Sequence, residues 1–305
     1  DRPMPLLSGC SIPTGGARHL LSALAVTTAL AGATQAQAAV VSMQNFNSLA
    51  DFTLNGATAS INTGAQGVVG PNPGDQRVLR LTNDYGQSGS AFLTNPFSLA
   101  SDASFSSYFE FQYTNQGNGG ADGIVFTVQT VSNTAGGGGG GIGYEGLSPS
   151  IGVEFDNWDN GSCDGNNGNH AGINVNGNVC SVVRADTLPA QLDSQAIFHA
   201  WVDYNGATDM LEVRLSLNST RPTTILMSYA VDLVALLGTT DAYIGFTSGT
   251  GAATADHDIR RWIFDGSYNP VVDPNNPSTQ PVPEPGVLAL LLAGLGCLGA
   301  RRRKV

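Results

Sequence analysis

Short runs of alternating apolar and polar residues fill most of the chain between residues 39 and 266, and they leave few folds open to it. The runs are rich in β-branched and aromatic residues, and clusters of Gly, Asn, Asp and Ser separate them. They lie at residues 77–81, 107–113, 123–128, 151–155, 197–204, 211–217 and 243–246. Alternation with a period of two is typical of half-buried antiparallel strands. Residues 232–237 indicate one short helix, so the sequence predicts an all-β fold, an antiparallel β-sandwich.

The N-terminal segment is predicted to be a targeting signal rather than part of this fold. Residues 1–38 contain a basic pair at 18–19, an apolar run at 20–30 and a small-residue pattern at 36–38. This order is typical of a secretory signal peptide. It predicts export and a mature chain that begins near Ala39, whereas a buried core helix is the alternative interpretation of the apolar run.

The C-terminal segment has a second targeting pattern, which follows a Pro- and Asn-rich linker at residues 267–281. Residues 282–305 contain a Pro-Glu-Pro motif, an apolar segment and a basic end. The apolar segment is shorter than the roughly 17–25 residues of a permanent membrane span, and the basic end indicates the cytoplasmic side. This order resembles the PEP-CTERM sorting signal of Gram-negative bacteria. The resemblance implies processing by a membrane protease called exosortase, transient membrane contact, and a final place at the cell surface or in the exopolysaccharide matrix.

The net charge limits the binding partners of this protein, and the cysteine content bears on the redox state of its compartment. The formal net charge is −11 at pH 7, and a negative field repels nucleic acid but suits divalent cations and neutral sugars, although solubility alone also accounts for acidity. Between the two targeting segments the cysteines are Cys163 and Cys180. Export favours a disulfide between them, which would stabilise the fold by roughly 3 kcal/mol in the chain-entropy model. The alternative, a thiolate metal site, needs further ligands.

Acidic and amide side chains gather at the end of one predicted strand. Glu154 and Asp156 are two residues apart, so both point to the same face of that strand, where two carboxylates are costly unless a cation neutralises them. Asn160 and Asp164 follow in a Gly/Asn-rich loop, and oxygen ligands of this kind suit Ca²⁺. His170 together with the carboxylates suits Mn²⁺ or a similar transition ion. A solvated acidic loop with a surface histidine is the alternative.

This stretch resembles the metal-binding strand of the legume-type (L-type) lectins. The matching residues are Val-Glu-Phe-Asp at 153–156, Trp158, Asn160, Asp164, His170 and Gly-Ile-Asn-Val at 172–175. Residues 121–123 resemble the family's sugar-binding aspartate, which follows a cis Ala-Asp peptide. The glycine run at 136–141 predicts by itself either a linker or a close backbone approach, and it resembles the family's sugar-contacting loop. Residues 245–264 resemble the specificity loop and the last strand.

The resemblance implies a concanavalin A-like jelly roll over residues 39–266, and within it a non-catalytic, metal-dependent lectin domain. It implies a Ca²⁺ site formed by Asp156, the Trp158 carbonyl, Asn160 and Asp164. It implies a transition-metal site formed by Glu154, Asp156 and His170. It implies sugar contacts at Asp122, Gly140, Trp158, Asn160, Gly251 and Ala252.

Two other functions stay open beside the lectin. Glu154, Asp156 and Asp159 approximate the Glu-x-Asp-x-x-Glu pattern of laminarinase-like glycoside hydrolases, with Asp in place of the second Glu. Retaining hydrolysis needs two carboxyls about 5–5.5 Å apart, and the shorter Asp side chain reduces the reach. The chain could also be a structural matrix or surface protein that has a lectin fold and binds no sugar.

Overall fold

The computed structural model describes residues 40–62, 77–135 and 141–275. All of them belong to one compact unit, Ala38–Val305. The predicted signal peptide at 1–38, the candidate sugar contact Gly140 and the predicted sorting tail at 282–305 lie outside the described residues.

Sixteen strands are present in the described residues, and they form two sheets of eight, called here the front and back sheets. The front sheet consists of β2 (Phe52–Gly56), β5 (Ser88–Leu93), β6 (Phe97–Ser98), β8 (Gly123–Gln129), β9 (Ser150–Asp156), β10 (His170–Val175), β11 (Asn178–Ala185) and β15 (Asp241–Gly249). The back sheet consists of β1 (Val40–Met43), β3 (Ala59–Asn62), β4 (Arg77–Thr82), β7 (Phe105–Gly117), β12 (Phe198–Asn205), β13 (Met210–Ser216), β14 (Met227–Ala230) and β16 (Thr254–Asp265).

The strand pairings in the described ranges are all antiparallel. The front sheet has the order β11-β10-β9-β8-β15-β5-β2, with β6 also on β15, and the back sheet has the order β14-β13-β12-β7-β16-β4-β3, with β1 also on β16. This arrangement is the jelly-roll sandwich that the sequence predicted. The short helix α1 (Leu233–Leu237) lies at the predicted place. Asp232 caps its N-terminus, where the Asp232 side chain accepts the Ala235 N–H at 2.9 Å. Among the described residues, no helix has the length and apolar character to cross a bilayer.

The core between the sheets contains mainly aromatic and branched apolar side chains, because each strand turns alternate residues inward. Phe111 of the back sheet and Phe155 of the front sheet meet there, with ring centroids 4.9 Å apart. Val153 also points into this core. Since Val153 and Phe155 point inward, Glu154 and Asp156 point to the outer face of the front sheet.

The segment that follows β16 packs over the outer face of the back sheet, and we call residues 266–275 the C-terminal strap. Val271 is buried against Tyr108 and Trp201. Trp201 Nε1 donates to the Val271 carbonyl at 2.7 Å, and Arg261 donates to a second strap carbonyl at 2.8 Å. Residues beyond 266, which composition assigned to a linker, therefore make ordered contacts with the sandwich.

Candidate functional site

The predicted site residues lie where neighbouring strands of the front sheet end. The register places His170 of β10 opposite Asp156 of β9, and Gly123 of β8 opposite Asp156 on the other side. Asp122 directly precedes Gly123. The pairing of β8, β9 and β10 therefore brings Asp122, Asp156 and His170 together from distant parts of the sequence.

Three of the predicted metal ligands form one cluster. Asp156, Asp164 and His170 each offer a ligand atom, and these atoms all lie within 4.8 Å of one another. Asp164 belongs to a 3-10 turn at Gly161–Asp164 in the loop between β9 and β10. The three residues are 2%, 3% and 0% exposed, so they are not solvated as the alternative interpretation required. Buried carboxylate oxygens suit Ca²⁺, and carboxylates together with the His170 imidazole suit Mn²⁺ or a similar transition ion.

The orientation of His170 also fits a metal ligand. Its Nδ1 lies 2.8 Å from the Asn167 carbonyl oxygen, and since a carbonyl only accepts, this nitrogen carries the proton of the neutral ring. Nε2 is buried and has no hydrogen-bond partner among the described residues. It points into the cluster, 3.4 Å from Glu154 Oε1 and 4.0 Å from Asp164 Oδ1. Proteins commonly orient metal-binding histidines through the other ring nitrogen in this way.

The electrostatics of the cluster favour a bound cation. Burial raises the pKa of Asp156 well above its usual range, and the Glu154 charge adds to the effect. Burial also raises the pKa of Asp164, and it raises the pKa of Asp122 to about 6 with a contribution from Asp164. Burial lowers the pKa of His170, but Glu154 and Asp164 outweigh it, and the net shift is upward. The site therefore concentrates more negative charge than it neutralises, a state that a divalent cation would relieve.

Glu154 is held by two partners that the sequence analysis did not identify. Ser181 Oγ donates to its Oε1 and Asn174 Nδ2 to its Oε2, both at 2.5 Å. Asn174 lies within the Gly-Ile-Asn-Val motif, so the sequence could have indicated its place beside the metal-binding strand. No sequence motif indicates the contact of Ser181 with Glu154. The pairing of β10 with β11 shifts register between Ile173 and Val175, and such a shift changes the face to which a side chain points.

The candidate sugar-binding carboxylate is fixed by its backbone and open at one oxygen. The Ala121–Asp122 peptide is cis, as the resemblance implied. The Asp122 N–H donates to the Gly249 carbonyl at 3.1 Å, and its carbonyl accepts the Asn157 N–H at 3.1 Å. Its Oδ2 is buried without a hydrogen-bond partner in the described structure. An unpartnered buried carboxylate oxygen is costly unless a ligand or ion contacts it.

The predicted specificity loop lies beside Asp122. A Cβ placed on Gly251 would be 3.6 Å from Asp122 Oδ2, so the carboxylate faces this loop. The Gly251 N–H already donates to the Ala253 carbonyl at 3.2 Å, which leaves it poorly placed to donate to a ligand. Ala252 is exposed, and its carbonyl accepts from Asn118 Nδ2 at 2.9 Å.

Trp158 and Asn160 lie on the loop that covers the acidic cluster. The Trp158 N–H donates to Asp156 Oδ1 at 2.6 Å, and its side chain is half-buried. Asn160 is exposed, and its N–H donates to Asp164 Oδ2. The predicted metal ligands are thus linked to one another by backbone hydrogen bonds.

The acidic pattern of the glycoside hydrolases is not assembled. Asp159 lies beyond Asp156, where β9 ends, and it is exposed. Its Oδ1 accepts the Gly161 N–H at 2.7 Å within the loop. Asp159 therefore does not continue the row of Glu154 and Asp156 along the strand.

Cys163 and Cys180 form the predicted disulfide. It joins the 3-10 turn that contains Asp164 to strand β11, with the two Cα atoms 4.6 Å apart. The alternative of a thiolate metal site is therefore wrong.

Comparison with known proteins decides the family. Residues 43–281 match the family model of the legume lectin domain. The chain belongs to the legume lectin family. Residues 281–304 match the PEP-CTERM protein-sorting motif, which indicates export and surface sorting in bacteria.

Plant receptor kinases are among the relatives of this lectin domain. It is 30% identical over 207 residues to the L-type lectin-domain containing receptor kinase VIII.1 of Arabidopsis thaliana, a match that covers 65% of this chain and 27% of the kinase. It is 29% identical over 240 residues to receptor kinase IV.1 of the same plant, which covers 69% of this chain and 34% of that one. The chain thus spans about a quarter to a third of these relatives, and their kinase part is not in this domain.

Solved plant lectins share the fold. The Bauhinia forficata lectin in complex with GalNAc is 25% identical with a TM-score of 0.62, and the match covers 75% of this chain and 98% of that lectin. The basic winged bean lectin with Tn-antigen is 26% identical with a TM-score of 0.61 and the same coverage. Legume lectins are non-catalytic carbohydrate-binding proteins, so this domain is a lectin domain and not an enzyme.

Proposed function

We propose that this lectin binds carbohydrate in a calcium-dependent manner at the end of the front sheet. The observation that carries the proposal is the Asp122 carboxylate, which is 3% exposed and has one oxygen without a partner in the described structure. It faces Gly251 and lies beside the buried acidic cluster. Sugar hydroxyls are donors that could satisfy this oxygen, which gives the burial of an otherwise costly group a function.

Two metal sites are proposed around Asp156. Ca²⁺ would be held by Asp156, the Trp158 carbonyl, Asn160 and Asp164, and a transition ion, Mn²⁺ in our proposal, by Glu154, Asp156 and His170. Support comes from the burial of Glu154, Asp156, Asp164 and His170. It also comes from the raised pKa values of Asp156 and Asp164 and from the Nε2 of His170, which has no hydrogen-bond partner in the described structure. The bound cations would supply positive charge that keeps the carboxylates ionised and fixes the loop over the strand ends.

The residues of the sugar site have separate tasks in this proposal. Asp122 accepts hydrogen bonds from adjacent hydroxyls, and Asn160 donates to them. Trp158 offers an apolar face to a pyranose ring, and the backbone of Ala252 and Gly140 adds polar contacts. The GalNAc and Tn-antigen bound by the two plant lectins make N-acetylgalactosaminyl glycans a first class to test. The acidity of the chain favours neutral sugars over anionic ones.

The two ends of the chain are the basis for the proposed cellular location of the protein. We propose a signal peptide within residues 1–38, a lectin domain that begins at 39 and includes the C-terminal strap to residue 275, a linker to 281, and exosortase processing of the tail at 282–305. The PEP-CTERM match at residues 281–304 supports the proposed sorting tail. Glycans of the cell surface or of the exopolysaccharide matrix would then be the partners, and a structural surface protein without sugar binding is the competing candidate.

A single substitution tests whether Asp122 is the sugar-binding group. Asp122→Asn keeps the side-chain volume but removes the charged acceptor, and a hydrogen bond to a charged group contributes about 1.5–3 kcal/mol. The full-length variant should bind immobilised glycans at least about tenfold more weakly than the unchanged protein. Asp241→Asn, an exposed carboxylate at the start of β15, is the matched control and should bind normally. Undiminished binding by Asp122→Asn would refute the site.

A further inference from the structure

The loop that supplies Asp164 is joined covalently to strand β11. Cys163 directly precedes Asp164 and forms the disulfide with Cys180. Asp164 is 3% exposed and belongs to the acidic cluster. The covalent tether therefore begins one residue from a group that the proposed function assigns to Ca²⁺.

The other end of the tether is also next to the site. Ser181, the residue after Cys180, donates to Glu154 Oε1 at 2.5 Å. The disulfide thus joins Cys163, which is next to the proposed ligand Asp164, to Cys180, which is next to Ser181. Ser181 in turn holds Glu154, another proposed ligand. The crosslink therefore lies on the shortest covalent route between the loop that contains Asp164 and the hydroxyl that holds Glu154.

β11 contacts the loop between β9 and β10, residues 157–169, at a second point, and we call this loop the metal loop. Arg184 Nη1 donates to the Cys163 carbonyl at 3.1 Å. A Cβ placed on Gly165 would lie only 2.0 Å from Arg184 Nη2, so the guanidinium fills the space beside the loop. These contacts are noncovalent and partly exposed, whereas the disulfide is the covalent constraint between the two segments.

β11 is also the last strand on its side of the front sheet, with β10 as its neighbour in the sheet order. An edge strand with one neighbour is less constrained than an inner strand. Without the crosslink, noncovalent contacts such as the Arg184 hydrogen bond would be left to hold the loop against β11, and cation binding would then have to order both segments more tightly. The ordering cost would appear directly as weaker binding.

We propose that the Cys163–Cys180 disulfide positions the metal loop, so that cation affinity depends on the oxidation state of this pair. The proposal rests on the metal site of the proposed function. Formation of the crosslink converts two thiols into one S–S bond, and two electrons and two protons pass to an oxidised disulfide partner, which leaves as a dithiol. Both cysteines are half-buried rather than enclosed, so exchange partners can reach them.

The consequence is that cation loading follows oxidation. A reducing compartment keeps both thiols reduced and the loop untethered, whereas an oxidising exterior forms the bond. An exported lectin would then acquire its full cation affinity only after it leaves the cytoplasm.

Calcium titration of the full-length protein tests the proposal. Calorimetry should give a Ca²⁺ dissociation constant at least tenfold higher for the Cys163→Ser/Cys180→Ser double variant than for the oxidised unchanged protein. Addition of dithiothreitol should weaken Ca²⁺ binding by the unchanged protein to the same degree and leave the double variant unaffected. Val271→Ala, a destabilising change in the distant C-terminal strap, is the control and should lower the melting temperature without a change in Ca²⁺ affinity.

Each outcome decides a different claim. Equal Ca²⁺ affinity in the crosslinked and uncrosslinked proteins, with a lower melting temperature for the latter, would overturn the proposal and leave the metal site in place. An oxidised unchanged protein that binds no Ca²⁺ would overturn the metal site and the proposal together. If the double variant does not fold, the unchanged protein titrated with Ca²⁺ in dithiothreitol, at a temperature where its circular dichroism still matches that of the oxidised form, gives the same decision.

Discussion

At the residue scale, the site depends on buried polar groups whose partners come from different strands. Glu154 illustrates this, because both of its oxygens accept hydrogen bonds, one from Ser181 and one from Asn174. Groups that orient a metal ligand typically change metal affinity 10–100-fold when they are removed. Ser181 is therefore expected to matter for the transition ion although it is not itself a proposed ligand.

Ser181→Ala should weaken Mn²⁺ binding by roughly tenfold or more. The change removes the hydroxyl that fixes Glu154 Oε1 and leaves the rest of β11 in place. Mn²⁺ titration followed by electron paramagnetic resonance measures the effect. Val182→Ala is the control, since Val182 is exposed and adjacent in sequence, and it should bind Mn²⁺ normally. An unchanged dissociation constant in Ser181→Ala would show that Glu154 needs no such support.

The raised pKa of Asp122 predicts a pH-dependent stability difference in excess chelator. Burial raises this pKa to about 6, so at pH 7.5 the folded state contains a costly charge, whereas below about pH 6 protonation removes it. Asp122→Asn should therefore melt at a higher temperature than the unchanged protein at pH 7.5, and the difference should shrink as the pH falls to 5. Calorimetric melting curves measure this. A difference that stays constant or widens would show that Asp122 is not a buried ionised group.

The sequence could identify the chemistry of the site but not all of its supports. Strand alternation placed Glu154 and Asp156 on one face, and the motif resemblance pointed to Asp122 and His170. The role of Ser181 depends on a register shift between two strands, and no local pattern specifies that shift. The hydrogen bond from the Gly251 N–H to the Ala253 carbonyl likewise depends on the conformation of their loop, which the sequence does not specify.

At the element scale, the C-terminal strap shows how composition can mislead. Its Pro and Asn content correctly indicates a segment outside the sheet ladders, since proline cannot donate to them. Composition does not indicate whether a segment is exposed, however. Val271 is only 3% exposed because it packs against Tyr108 and Trp201. Irregular backbone can pack firmly when its carbonyls find donors, as the Val271 carbonyl finds Trp201 Nε1.

Ending the chain after Gly266 should destabilise the domain, whereas ending it after Asn275 should not. The shorter form exposes the Tyr108 and Trp201 surface and loses the burial of Val271, which is expected to contribute about 1.5–3 kcal/mol, together with about 1 kcal/mol for the Trp201 hydrogen bond. Urea unfolding of the two forms measures the difference. Equal free energies of unfolding would mean that the strap contributes nothing to the fold.

At the scale of the whole molecule, the two outer faces of the sandwich have different roles. The front sheet presents the acidic cluster and Asp122 at its strand ends, whereas the outer face of the back sheet is packed by the C-terminal strap. Period-two alternation was enough to predict an antiparallel sandwich, because it reports which residues face the core. The strand order was not predictable from that pattern, since pairings such as β7 with β16 join residues more than a hundred positions apart.

Carbohydrate binding by this lectin should depend on bound cations, and a glycan array measures both properties at once. The full-length protein should be applied with added Ca²⁺ and Mn²⁺, again in excess chelator, and once more after the cations are restored. We expect binding to a defined class of neutral glycans in the first condition, loss of binding in the second and recovery in the third. Equal binding in all three conditions would contradict the metal dependence, and an absence of binding throughout would contradict the sugar site and favour a structural surface protein.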